Sequence, residues 1–171
     1  MKSLGAICYH LGMEKDFDSW NAKKSDLNNR QDIPFFHERE IWFCHVGVNI
    51  GVEVDGVGIN FLRPVVIIKK INNTAFIAIP LTRTPRQGKF YFPMTDDPGD
   101  SFAVLSQVRL LDARRLFYQS RVIPEAIFQE LRQSFLSYFG DKITPTLSLD
   151  DVGSGRSQCG SCDPEMIITD P

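Results

Sequence analysis

The largely polar stretch from Glu14 to Asn29 carries Phe17, Trp20, Lys24 and Leu27 at helical spacing, so it predicts a short amphipathic helix with Trp20 and Leu27 on one face. Asp32-Ile33-Pro34 breaks that pattern, and Glu40-Ile41-Trp42-Phe43-Cys44-His45-Val46 then reads as a first buried strand. Gly47, Gly51, Gly56 and Gly58 punctuate the next segment, which makes Val48 to Asn60 a long hairpin-like loop. Apolar, β-branched runs recur at Pro64 to Ile68, Ala75 to Ile79, Phe90 to Phe92, Phe102 to Leu105 and Val108 to Leu111. Turn residues such as Asn72-Asn73 and Asp96-Asp97-Pro98-Gly99 separate them. Five to seven short strands of this kind predict a small closed barrel, which removes free strand edges. Pro124 and Glu125 open a second helix that places Ile127, Leu131, Phe135 and Phe139 on one face and stops at Gly140. From Thr144 onward the chain is rich in Ser, Gly, Asp and Pro without apolar periodicity, the composition of a disordered tail. The fold class is therefore mainly β with helices (α+β): an extension with one helix over residues 1–39, a barrel over 40–140 and an acidic tail over 141–171.

With 171 residues and 43% hydrophobic content the chain can bury one good core, in keeping with a single domain plus appendages. No apolar run approaches the roughly 20 residues of a membrane span. Tyr9 and His10 fall where a signal peptide would keep its apolar core, so a soluble, cytoplasmic protein is expected. Met13, just before the first helix, is a second candidate start of translation. Cys8 and Cys44 are isolated, and Cys159 and Cys162 form a single pair, which suits a reducing compartment. One such pair supplies half of a four-ligand zinc site, so no metal or other cofactor is expected.

The net charge of -2 hides an uneven distribution. From Arg63 to Arg121 ten Lys and Arg face four Asp, a local charge of +6, whereas Thr144 to Pro171 carries five acids against Arg156 alone. A basic centre of this kind attracts polyanions even when the total charge is negative, although a solvated charged surface gives the same count. Within it, Arg63, Thr82 and the segment from Ser106 to Leu116 set polar residues at the ends of apolar runs, so three strand ends could converge on one site.

These segments carry a resemblance to the MazF/PemK family of toxin endoribonucleases, extending over about Glu40 to Phe139. Its marks are Glu40-Ile41-Trp42, Gly51-Val52-Glu53, Arg63-Pro64-Val65-Val66-Ile67, Leu81-Thr82, and Gln107-Val108-Arg109-Leu110-Leu111-Asp112 with Arg115-Leu116, in the family's order. The resemblance implies a small SH3-like barrel of the CcdB/MazF type with a C-terminal helix. It also implies homodimers, metal-independent cleavage of single-stranded RNA with growth inhibition, and an antitoxin whose acidic segment folds into the basic groove. Carried residue by residue, it makes Arg63, Thr82 and Glu53 the catalytic set. The chemistry fits, because RNA supplies its own nucleophile, the 2′-hydroxyl, and Arg63 offers a planar fork of donors to a phosphate gaining charge. The Thr82 hydroxyl can bond a phosphate oxygen, and Glu53 can serve as base or orient Arg63. Arg83, Arg86, Lys89 and Arg109 are the expected RNA-backbone contacts.

The chain departs from the family's pattern at two places. The stretch from Glu53 to Arg63 is longer than the family usually keeps it. One plasmid-borne branch of the family uses a His beside the loop acid and an Asp before the Gln, where this chain has Val52 and Ser106. Arg63 and Thr82 are then central, and the proton acceptor stays open, with His45 a nearby imidazole. The rival reading is a binding module: a gyrase-binding toxin similar to CcdB, or a nucleic-acid- or protein-binding domain without catalysis.

Overall fold

Helix α1 (Phe17–Asn28) begins where Asp16 accepts a hydrogen bond from the backbone N–H of Ser19 at 2.9 Å, the usual role of an N-cap carboxylate. The predicted face is the buried one: Trp20 and Leu27 pack with Phe61, and Phe17 stays exposed. The computed structural model describes residues 15–84, 88–95 and 101–140, all within the first of two units into which the chain divides, Met1–Asp141 and Lys142–Pro171. The expected tail, Cys8, Cys159 and Cys162, Arg86, the turn at Asp96 to Gly99 and the alternative start at Met13 lie outside the described residues.

Seven strands come next: β1 (Glu40–His45), β2 (Leu62–Lys70), β3 (Ala75–Thr82), β4 (Tyr91–Met94), β5 (Ser101–Val104), β6 (Arg109–Asp112) and β7 (Leu116–Val122), before helix α2 (Glu125–Gly140). All pair antiparallel, in the order β4-β5-β3-β2-β1-β7, with β6 also on β3. The first half of β3 pairs with β6 and its last two residues, Leu81 and Thr82, pair with β5. Period-two side-chain alternation explains why the central strands read as unbroken apolar runs. Val65 and Ile67 enter one core with Trp42, Cys44 and Phe76, while Val66 and Ile68 enter a second with Ile41, Ile79 and Leu81. Helix α2 closes the second core with Phe128 and Leu131, against which Ile127 and Phe135 are partly buried.

The strand pattern predicts a closed barrel, and in this respect the structure differs. The sheet is not closed, since β4, β6 and β7 each pair with a single strand among the described residues. The open edges are protected in other ways: β4 is four residues long and contains Pro93, which cannot donate to a further strand. Register shifts in the β1–β7 and β2–β3 ladders mark bulges, which bend and twist the strands. Among the described residues no helix is long and apolar enough to cross a membrane.

Candidate active site

Arg63 stands near the start of β2 and Thr82 at the end of β3, and strand pairing brings them together. Val65 pairs with Pro80 and Val66 with Ile79, a register that two residues further along sets Arg63 opposite Thr82. The guanidinium fixes the arrangement: Nη1 donates to the Leu81 carbonyl at 3.2 Å and Nε donates to the Asp55 carbonyl. Two of its five N–H donors are thereby committed, and among the described residues those of Nη2 have no hydrogen-bond partner. Burial lowers the Arg63 pKa, the Asp55 carboxylate raises it and Arg109 lowers it again. An arginine so shifted stays charged at neutral pH.

The Thr82 hydroxyl accepts a hydrogen bond from the Thr84 backbone N–H at 3.2 Å, which leaves its own proton to donate. Arg63 and Thr82 line a pocket of about 410 Å³ whose wall also includes Arg83, Ser101, Ser120 and Arg121. Ile41, Phe43, Pro64 and Leu81 form its apolar side. Ser101 is only 4% exposed, and its hydroxyl has no hydrogen-bond partner among the described residues. A buried, unsatisfied donor on the wall of a cationic pocket is unusual, because such groups normally find a partner on folding.

The other residues named from sequence are spread over the molecule. Glu53 is exposed and its carboxylate accepts from the Ile50 backbone N–H at 3.2 Å, closing a turn of its own loop. The group of this loop that holds Arg63 is the backbone of Asp55, two residues on. Arg83 is exposed at the pocket wall, whereas Lys89 lies over the Phe90 ring in a separate cleft with Tyr138. Arg109 lines a groove with Lys69, Arg132 and Leu136. His45 is 3% exposed and its Nδ1 is 2.7 Å from the Asn60 carbonyl, a structural engagement that keeps it off the pocket wall. Burial lowers its pKa, as do nearby Lys23, Arg30 and Arg115, while the Asn60 bond opposes them.

The loop between β1 and β2 is held from two sides. Gln107 accepts from the Val54 N–H and donates to the Val52 carbonyl, both at 3.3 Å. The Asn49 amide donates to the Val54 carbonyl at 2.9 Å, and the Asp55 carboxylate accepts from the Asn49 N–H at 2.6 Å. The signature segment containing Gln107 thus supports the loop that presents the Asp55 carbonyl to Arg63. Sequence reading misses Ser101, Ser120 and Arg121, which lie on β5 and β7 far along the chain.

Residues 37–139, more than half of the chain, match the family model described as PemK-like, MazF-like toxin of type II toxin-antitoxin system. No curated protein matches the sequence. Among solved structures, MazF from Deinococcus radiodurans shares 18% identity, with a TM-score of 0.50 over 64% of this chain and 99% of that one. An endoribonuclease in complex with its cognate antitoxin from Mycobacterial species aligns at 15% identity and a TM-score of 0.49, over 64% of this chain and 97% of that one. The Mycobacterium tuberculosis toxin MazF-mt6 aligns at 16% identity and a TM-score of 0.47, over 60% of this chain and 97% of that one. The likeness to the Deinococcus protein carries the fold.

Proposed function

Because the chain belongs to the PemK-like, MazF-like toxin family of type II toxin-antitoxin systems, we propose that it is a cytoplasmic endoribonuclease that cuts single-stranded RNA by in-line attack of the 2′-hydroxyl. The observation that carries this reading is the convergence of Arg63 and Thr82 in one pocket, with guanidinium donors that have no partner among the described residues. In the reaction the 2′-oxygen forms a bond to phosphorus, the P–O5′ bond breaks, the 2′-hydroxyl proton leaves to a base, and the 5′-oxygen is protonated. The products are a 2′,3′-cyclic phosphate and a 5′-hydroxyl.

Arg63 stabilises the charge that accumulates on the non-bridging oxygens, and Thr82 donates to the same phosphate. Arg83 and Arg121 extend the cationic wall along the RNA backbone. No Asp, Glu or His lines the pocket among the described residues, so this wall acts on the phosphate, not on the 2′-hydroxyl proton. Membership of a type II toxin-antitoxin family supports a cognate antitoxin as partner. In this reading the antitoxin covers the cationic pocket, and the toxin acts as a homodimer.

Incubation of the full chain with a long single-stranded RNA in EDTA should yield discrete fragments ending in cyclic phosphate. Arg63→Ala should lower kcat/KM on the order of 100-fold or more, as expected for loss of a preorganised donor to a developing oxyanion. Thr82→Ala should cost roughly 10-fold, the worth of one hydrogen bond to a charged group. Parental cleavage by both variants would remove the site assignment, and intact RNA together with gyrase inhibition would replace the enzyme by a binding toxin.

A further inference from the structure

Lys15 lies outside the matched residues 37–139, yet it reaches the loop that holds Arg63. Its ammonium donates to the Asn49 carbonyl at 2.5 Å and pairs with the Asp55 carboxylate at 2.8 Å. Both partners of the pair are about 30% exposed, so the attraction is less screened than at an open surface. Lys15 lies two residues ahead of helix α1, and the seating of the helix brings it to this point. Trp20 packs on the Phe61 ring with centroids 5.4 Å apart and lies directly over Gly47, and Arg115 lies over the indole. Beyond the far end of the helix Arg30 donates to the Leu116 carbonyl at 2.6 Å and to the Arg114 carbonyl at 3.1 Å.

The residue held by Lys15 bears on Arg63 in two ways. The Asp55 carbonyl binds Arg63 Nε, and the Asp55 carboxylate lies near enough to act on the guanidinium charge. If that carboxylate turned to Arg63, it would take up the remaining donors and neutralise the charge that a phosphate needs.

We propose that Lys15, just ahead of the N-terminal helix, is a positioning residue for the active site: with the Asn49 N–H on the other oxygen, it holds the Asp55 carboxylate away from Arg63, so that Asp55 engages the guanidinium through its carbonyl alone. The proposal rests on Arg63 acting on an RNA phosphate. It makes the N-terminal extension part of the catalytic apparatus, and it assigns Asp55 opposite effects through its carbonyl and its carboxylate.

The test is a rescue experiment in the full chain. Lys15→Ala should reduce kcat/KM for RNA cleavage about 10-fold, the size of one charge-assisted contact. Asp55→Asn added to Lys15→Ala should recover activity to within about 3-fold of the parent, because the amide has no charge to set against Arg63. A merely structural tether would not be restored by the second change. Parental activity in Lys15→Ala, or no recovery in the double variant, would overturn the proposal.

A second readout is independent of cleavage. The Arg63 Nε–H resonance, assigned through its loss in Arg63→Lys, should move in Lys15→Ala and return in the double variant. An unmoved resonance would sink the proposal even if the protein cleaves RNA. A protein that leaves RNA intact while this resonance moves and returns would instead remove the reading of function and keep the Lys15 arrangement.

Discussion

Ser101 sets a cost to the fold on the wall of the pocket. A buried hydroxyl without a partner costs about 1–3 kcal/mol, and among the described residues Ser101 is such a group. Ser101→Ala should therefore raise Tm slightly while raising KM for RNA several-fold, readings that calorimetry and steady-state cleavage give separately. A lowered Tm with unchanged KM would make the hydroxyl a structural group. Arg63 and Thr82 are singled out in sequence by the family resemblance, since a polar residue at the end of an apolar run does not by itself mark a site, and the fold brings the two to one pocket. Ser101, Ser120 and Arg121 are not singled out, because nothing local in β5 or β7 indicates that their strands share a wall with β2 and β3. Glu53 stands out in sequence as an acid of the loop, whereas the loop turns so that a backbone carbonyl, that of Asp55, meets Arg63. Side-chain type does not reveal which backbone groups a loop presents.

At the scale of elements, α1, most of the strands and α2 are readable from periodicity alone, and the open edge and β7 are not. Strand β7 is mostly exposed after Leu116, so its residues do not alternate between core and solvent, and the signal for a strand is missing. Its place depends on pairing with β1, more than 70 residues earlier in the chain. Gly47 joins two elements, since it adopts φ +87° just after β1 and lies against the Trp20 indole of α1. An added methyl group meets both a disfavoured backbone and the ring. Gly47→Ala should cost about 3 kcal/mol and lower Tm by roughly 10 °C, measured by thermal unfolding. If Tm were unchanged, α1 would not be seated on Gly47.

For the whole molecule, the direction of the titration shifts fixes how stability varies with acid. His45 has its pKa lowered by burial from 6.5, so the unfolded chain binds the proton first and stability falls as pH drops below 6.5. Asp112 is lowered chiefly by its Arg114 hydrogen bond, and Glu38, despite burial, by Lys69 and Lys70. Their contribution is present above the ordinary carboxylate values of 3.8 and 4.5 and is lost as pH falls through the lowered ones. Urea denaturation across this range should show two descending stages, and His45→Gln should flatten the one nearer neutrality and leave the other. One undivided fall in both proteins would exclude His45 as the first sensor.

The pocket draws its wall from Ile41 through Arg121, and β7 completes it only by pairing back to β1. Such pairing between distant parts of a chain is slow. A nascent chain on the ribosome therefore carries Arg63 and Thr82 long before it has the finished wall that includes Ser120 and Arg121. The order of synthesis itself delays the assembly of this cationic pocket until most of the polypeptide has emerged.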